Sequence, residues 1–163
     1  GQLGSDVPFF INSAAALVSG RGERIESVEA RDDYIVLLVN PGFPVSTAEA
    51  YRWIDEECGY ETEGWKIDFR EIKRRYHGFA PETWDFTNSF SEPLMRRYPR
   101  IHSIMDMLTE CGSLFSSISG SGSTIFGIFR DVESAEKAKT SVHKEYWAEI
   151  VSPLARNPSI VLQ

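Results

Sequence analysis

The sequence predicts an α+β domain of the ferredoxin-like, split βαβ type: an antiparallel sheet with helices on one face, preceded by a short hairpin. Three observations carry this expectation. Two continuous runs of branched and aromatic apolar residues, 34–39 and 125–129, have the length and composition of buried strands. Apolar residues recur at helical spacing between 47 and 110, and again after Asp131. From Tyr34 onward the order is therefore strand, helices, strand, strand, helix, strand, which is that of a split βαβ unit. Such a unit closes into an antiparallel sheet covered on one face. Residues 1–30 stand apart from 31–163 as a separate hairpin piece.

The elements follow in order. Gly4 suits the end of a helix that starts before the chain does, so the opening reads as an interior cut in a longer protein. Residues 9–18 read as a strand, Gly20 and Gly22 as a turn, and 24–29 as a returning strand. Asn40-Pro-Gly-Phe-Pro44 ends the central strand, and Ser46 or Thr47 caps a helix over 48–57. Ile54, three residues after Tyr51, gives that helix an apolar stripe. Glycines and Pro81 break up 59–84, leaving a helix over 69–76. Asn88 caps a short helix running to Arg97. Pro99 fits a first helical position, and Ile101, Ile104, Met105 and Leu108 form the buried stripe of the helix it opens. Residues 114–119 alternate like a half-buried strand, and 119–124 form a tight link into 125–129. Asp131 caps a helix with Ala135, Ala138 and Val142 on one face, and 147–151 form the last strand.

The totals exclude several function classes. With 163 residues and 42% apolar content the chain can fill a sizeable core. A formal net charge of −7 disfavours binding to nucleic acid or anionic membranes. The arginines at 74, 75, 96, 97 and 100 read as solvated helix faces. Cys58 and Cys111 show neither zinc-ligand spacing nor a disulfide framework, so no metal ligand set is expected and a reducing, cytoplasmic setting fits. No basic segment followed by an apolar run suggests a signal peptide, and no run has transmembrane length. His77, His102 and His143 are scattered and receive no catalytic role.

Three segments hold residues suited to chemistry. In Gly4-Ser-Asp-Val-Pro8, Asp6 is a carboxylate just past a helix end, stiffened by a proline, as a positioned general base would be. Alone, the same motif reads first as a turn former. In Ser119-Gly-Ser-Gly-Ser-Thr124, residues Gly120, Ser121, Gly122 and Ser123 allow close backbone approach and offer amides and hydroxyls to an anion, or else make a plain hairpin loop. The spacing is neither a Walker loop nor a dinucleotide fingerprint. Thr47 and Tyr51 lie one helical turn apart, where a hydroxyl beside an aromatic ring can bind and stack on a base. Without other information, Tyr51 reads first as a core residue.

Taken together and in this order, Leu3-Gly-Ser-Asp-Val-Pro-Phe-Phe10, Asn40-Pro-Gly-Phe-Pro-Val-Ser-Thr47 with Ala50-Tyr51, and Ser119-Gly-Ser-Gly-Ser-Thr-Ile-Phe126 resemble the galactokinase, homoserine kinase, mevalonate kinase and phosphomevalonate kinase superfamily. The phrase around Asp6 is similar to that of its diphosphocytidyl-methylerythritol kinase branch, while the Gly-Ser loop is specific only to the superfamily. The resemblance implies a ferredoxin-like carboxy-terminal kinase domain over 31–163 and a remnant of the amino-terminal kinase domain over 1–30. It implies that Asp6 is the catalytic aspartate, that Thr47 and Tyr51 contact a cytidine, and that Gly120–Ser123 lies near phosphates and substrate. ATP and Mg2+ are the implied cofactors of the full-length enzyme, in non-mevalonate isoprenoid biosynthesis. The family's ATP-phosphate loop lies upstream of the catalytic aspartate, and only five residues precede Asp6. The chain alone is therefore expected to be inactive without its amino-terminal domain, and residues 9–18 are expected to pair with a second copy or fold over the sheet. The alternatives are another kinase of the superfamily, of homoserine or mevalonate type, or a non-catalytic ferredoxin-like ligand-binding module.

Overall fold

A computed structural model describes residues 9–10, 15–58 and 68–154. Two antiparallel sheets form. The smaller pairs β1 (Ala16–Ser19) with β2 (Arg24–Ser27). The larger contains β3 (Ile35–Asn40), β4 (Phe115–Ile118), β5 (Ile125–Phe129) and β6 (Trp147–Val151) in the order β4-β5-β3-β6. This is the ferredoxin-like order expected of a split βαβ unit, with β3 at the centre of the split.

The helices lie between these strands. α1 is Thr47–Cys58, α2 Phe69–Gly78, α3 Ser91–Arg97, α4 Pro99–Glu110 and α5 Val132–Ser141, with a 3₁₀ turn at Pro81–Thr83. Local chemistry sets their ends. Asp68 accepts hydrogen bonds from the amides of Arg70 (2.9 Å) and Glu71 (3.3 Å), and Asp131 accepts from Ser134 N–H at 2.8 Å. Pro99 stands at the start of α4. That helix closes at Gly112, whose φ of +85° lets the Ser113 amide reach back to the Leu108 carbonyl at 2.9 Å.

The core lies between the large sheet and the pair α4 and α5. Ile35, Leu37 and Val39 of β3 stand opposite Phe129, Gly127 and Ile125 of β5 on the helix-facing side. Ile101, Ile104 and Leu108 of α4, and Ala135 and Ala138 of α5, complete it. Gly127 keeps room for α4: a Cβ there would come within 3.1 Å of Leu108. On the opposite face, Phe115 meets Trp84, Phe86 and Phe126 in edge and tilted ring contacts 5.8–6.4 Å apart.

Several expectations change. Phe9 and Phe10 are helical, not the start of a strand; residues 11–14 of the expected strand lie outside the described residues, and among those described the pairing spans four residues on each side. A short aromatic run is compatible with either state, and only an available ladder partner selects the strand. β2 ends at Ser27 rather than 29, just before the last hairpin bond, from Val28 N–H to the Ala15 carbonyl at 3.0 Å. β1 has one ladder partner, β2. The stripe of α1 runs through Ala50, Trp53 and Ile54, and Tyr51 points outward. Asn88 does not sit at the α3 N-cap; Phe90 does.

Candidate functional site

The site forms where β3 hands over to α1. Asn40, the last residue of β3, donates from Nδ2 to Thr124 Oγ1 at 2.9 Å and accepts the Gly42 amide on Oδ1 at 2.8 Å. One side chain thereby fixes the turn into α1 and joins it to the start of β5. Ser123, 4% exposed, donates from its hydroxyl to the Phe43 carbonyl, and the Phe43 ring stacks on Tyr98 with centroids 4.9 Å apart.

Ser46 caps α1, accepting the Glu49 amide on its hydroxyl at 3.4 Å. Thr47 is thus released from capping. Its Oγ1 lies 2.9 Å from Ser121 Oγ, a contact across 74 residues of sequence. One turn further, Tyr51 is 57% exposed and makes a T-shaped contact with Phe90, centroids 5.0 Å apart at 81°. The outward ring excludes the core reading and leaves Tyr51 able to stack on a planar ligand.

The Gly-Ser loop lies over the same corner. Ser119 N–H donates to the Thr124 carbonyl at 2.8 Å, and Gly122 N–H to the Ser119 carbonyl at 3.0 Å. Gly120 (φ +55°) and Gly122 (φ +81°) supply the left-handed backbone this path requires. Gly120 faces open space, whereas Gly122 lies against Leu94 and Ile118. Asn88 braces the loop from outside through the carbonyls of Ile118 and Gly120, both at 2.8 Å. Beside it opens a cleft of about 370 Å³ lined in part by Glu57, Asn88, Glu92 and Arg96. There Glu92 bonds Arg96 at 2.7 Å and holds the guanidinium pKa up.

The structure therefore brings Thr47, Tyr51, Gly120, Ser121, Gly122 and Ser123 into one corner. Asp6 lies outside the described residues. Sequence reasoning missed Asn40, Asn88 and Phe90 as parts of this corner. An asparagine before Pro-Gly is a visible turn signal, but no local pattern announces that Asn88 reaches a loop thirty residues away. Chemically, the corner offers hydroxyls, an open glycine and the N-terminal end of α1 to an anionic or polar group, next to a ring that can stack.

Residues 70–149 match the family model described as "GHMP kinases C terminal". The chain carries a GHMP kinase carboxy-terminal domain. It is 34% identical, over 94% of its length, to a 4-diphosphocytidyl-2-C-methyl-D-erythritol kinase of Thermodesulfovibrio yellowstonii, covering 54% of that protein. It is 36% identical, over 89% of its length, to the Treponema pallidum protein of the same name, covering 52%. The chain thus spans about half the length of the curated relatives it matches. Among solved structures, a 4-(cytidine 5′-diphospho)-2C-methyl-D-erythritol kinase superposes with a TM-score of 0.70 at 24% identity, over 93% of this chain and 55% of the other. A homoserine kinase from Cytophaga hutchinsonii superposes at 0.62 with 14% identity, over 87% and 48%. These superpositions establish that the GHMP domain has its relatives' fold.

Proposed function

We propose that the whole protein containing this GHMP domain is an ATP-dependent kinase that phosphorylates a hydroxyl of 4-diphosphocytidyl-2-C-methyl-D-erythritol in isoprenoid biosynthesis. The observation that carries the reading is the outward Tyr51 ring beside the Thr47–Ser121 pair, in a chain whose relatives at 34–36% identity bear that kinase's name. Tyr51 stacks on the cytosine, and Thr47 hydrogen-bonds the cytidine part. The loop Gly120–Ser123 lies along the phosphates, and Asp6 accepts the proton of the reacting hydroxyl. Phosphoryl transfer needs little covalent help from a protein, so these roles are positioning and proton acceptance.

The open side of Gly120 and the hydroxyls of Thr47 and Ser121 suit phosphate oxygens. When bound, ATP with Mg2+ supplies the phosphoryl group and neutralises its charge. Among the described residues no group of three His, Cys, Asp or Glu could hold a metal ion. The phosphate loop belongs to an amino-terminal domain, with 1–30 a part of it and 31–163 the carboxy-terminal domain. The separate β1–β2 sheet, sharing no ladder with the larger one, supports that boundary. The kinase works in the cytoplasm. The exposed Phe10 (69%) and Val18 (42%) support self-association through 9–18, which light scattering of the chain would test.

The cytidine reading is tested on Tyr51 in the whole protein. Tyr51→Ala weakens binding of the cytidine substrate by about 1–3 kcal/mol, the range for base–aromatic stacking, while Tyr51→Phe leaves it nearly unchanged. Equal losses in the two variants rule out stacking. A whole protein that binds no cytidine diphosphate compound by calorimetry rules out the substrate.

A further inference from the structure

The Gly-Ser loop and the Tyr51 ring are joined by one side chain to which the superfamily resemblance gives no role. Asn88 donates both amide protons, to the Ile118 carbonyl and the Gly120 carbonyl, each at 2.8 Å. Its Oδ1 accepts the Phe90 amide at 2.9 Å. Only a side-chain amide offers two donors and an acceptor without charge, and all three kinds of bond are made here. The donor end gathers two carbonyls at the entry of the loop. The acceptor end, with the bond from Ser91 N–H to the Asn88 carbonyl (2.9 Å), shapes the turn that sets Phe90 against Tyr51. From Gly120 the next residue, Ser121, meets Thr47, one helical turn from Tyr51. The contacts close a circuit: Asn88, loop, Thr47, α1, Tyr51, Phe90 and back to Asn88.

We infer that Asn88 is a positioning residue that holds the Gly-Ser loop at a fixed spacing from the Tyr51 ring, so that the phosphate end and the base end of one substrate site keep their distance. What occupies the two ends rests on the kinase reading above; the bracing itself rests on the hydrogen bonds alone.

Two variants separate the ends of the side chain. Asn88→Asp keeps an acceptor for Phe90 N–H but turns the donors into a carboxylate facing two carbonyl oxygens. Asn88→Ser keeps a short acceptor, adds no charge and cannot span to both carbonyls. In the 163-residue chain, amide exchange at Ser119 and Gly122, whose N–H groups close the loop, rises about tenfold in both variants, the loss expected for a broken hydrogen bond. Exchange at Leu108 in α4 stays unchanged and verifies the fold. Should one variant fail to fold, the other decides. Unchanged exchange at Ser119 and Gly122 in a folded variant overturns the inference. In the whole protein, turnover of the cytidine substrate falls about tenfold while its KM moves little, because the Phe90 end is retained. A rise in KM at unchanged turnover also overturns it. If the whole protein binds no cytidine compound, the kinase reading fails, and the exchange experiment still decides the role of Asn88.

Discussion

Gly120 and Gly122 have the same sign of φ and different surroundings, so replacing each by alanine separates backbone strain from space. Both substitutions place a Cβ in the left-handed region, at φ +55° and +81°. That costs about 1–2 kcal/mol, partly offset by about 0.4–1 kcal/mol from the reduced freedom of the unfolded chain. At Gly120 nothing lies within 4 Å of the added carbon, so Gly120→Ala should lose only about 1 kcal/mol. At Gly122 the carbon meets Leu94 Cδ1 at 3.3 Å and Ile118 Cγ2 at 3.4 Å. Leu94 is fully buried and Ile118 is 2% exposed, so neither can swing into solvent. Overpacking of this kind adds about 1–3 kcal/mol, giving a total near 2–4 kcal/mol for Gly122→Ala. Urea unfolding followed by tryptophan fluorescence measures both, provided the m-value is unchanged between variants. Equal losses at the two positions, or a larger loss at Gly120, would refute the packing account of the loop.

Three further outcomes follow from the same structure and the proposed activity. Leu108→Ala removes a fully buried side chain packed over Gly127 and should cost about 2–5 kcal/mol in thermal or urea unfolding. In the whole protein, Asp6→Asn should lower turnover about 10²–10⁴-fold with little change in substrate affinity; near-normal turnover would reassign Asp6 to structure. Hydrogen bonds from Arg74 and then Arg75 bring the Glu71 carboxyl from 4.5 down to about 2. A depressed carboxyl stabilises the fold above its unfolded value and loses that contribution as pH falls. Wild-type stability should therefore drop between about pH 4.5 and 2 more steeply than that of Glu71→Gln, and parallel acid titrations would remove Glu71 from the account.

Elements with dense local signals were legible. The run 125–129 is β5 to the residue, 147–151 is β6, and Asp131 caps α5 as its type and place suggest. Strand order followed from element order alone, because a split βαβ unit leaves few topologies open. What sequence could not supply depends on contacts between distant residues. Tyr51 and Ile54 are three apart, so both fit one helical stripe; only the packed helix reveals that Ala50, Trp53 and Ile54 face inward. Ser46 and Thr47 are equally good caps in isolation, and Ser121 decides what Thr47 is for. Phe9 and Phe10 satisfy either secondary structure until a ladder is available to recruit them.

The central place of β3 has a consequence for how the protein is made. Its five consecutive apolar residues, Ile35 to Val39, are synthesised before every strand they bond to: β5 begins at residue 125 and β6 at 147. At roughly 5–20 residues per second a ribosome needs on the order of ten seconds to deliver them. Throughout that interval a fully β-prone segment waits without its ladder, the kind of window in which nascent chains stick to one another. Charged and rigid neighbours bracket it: Arg31, Asp32 and Asp33 on one side, Pro41 and Pro44 on the other. Such flanking residues discourage cross-chain pairing at an apolar strand. Neutralising Asp32 and Asp33 is expected to lower the soluble yield of newly made protein.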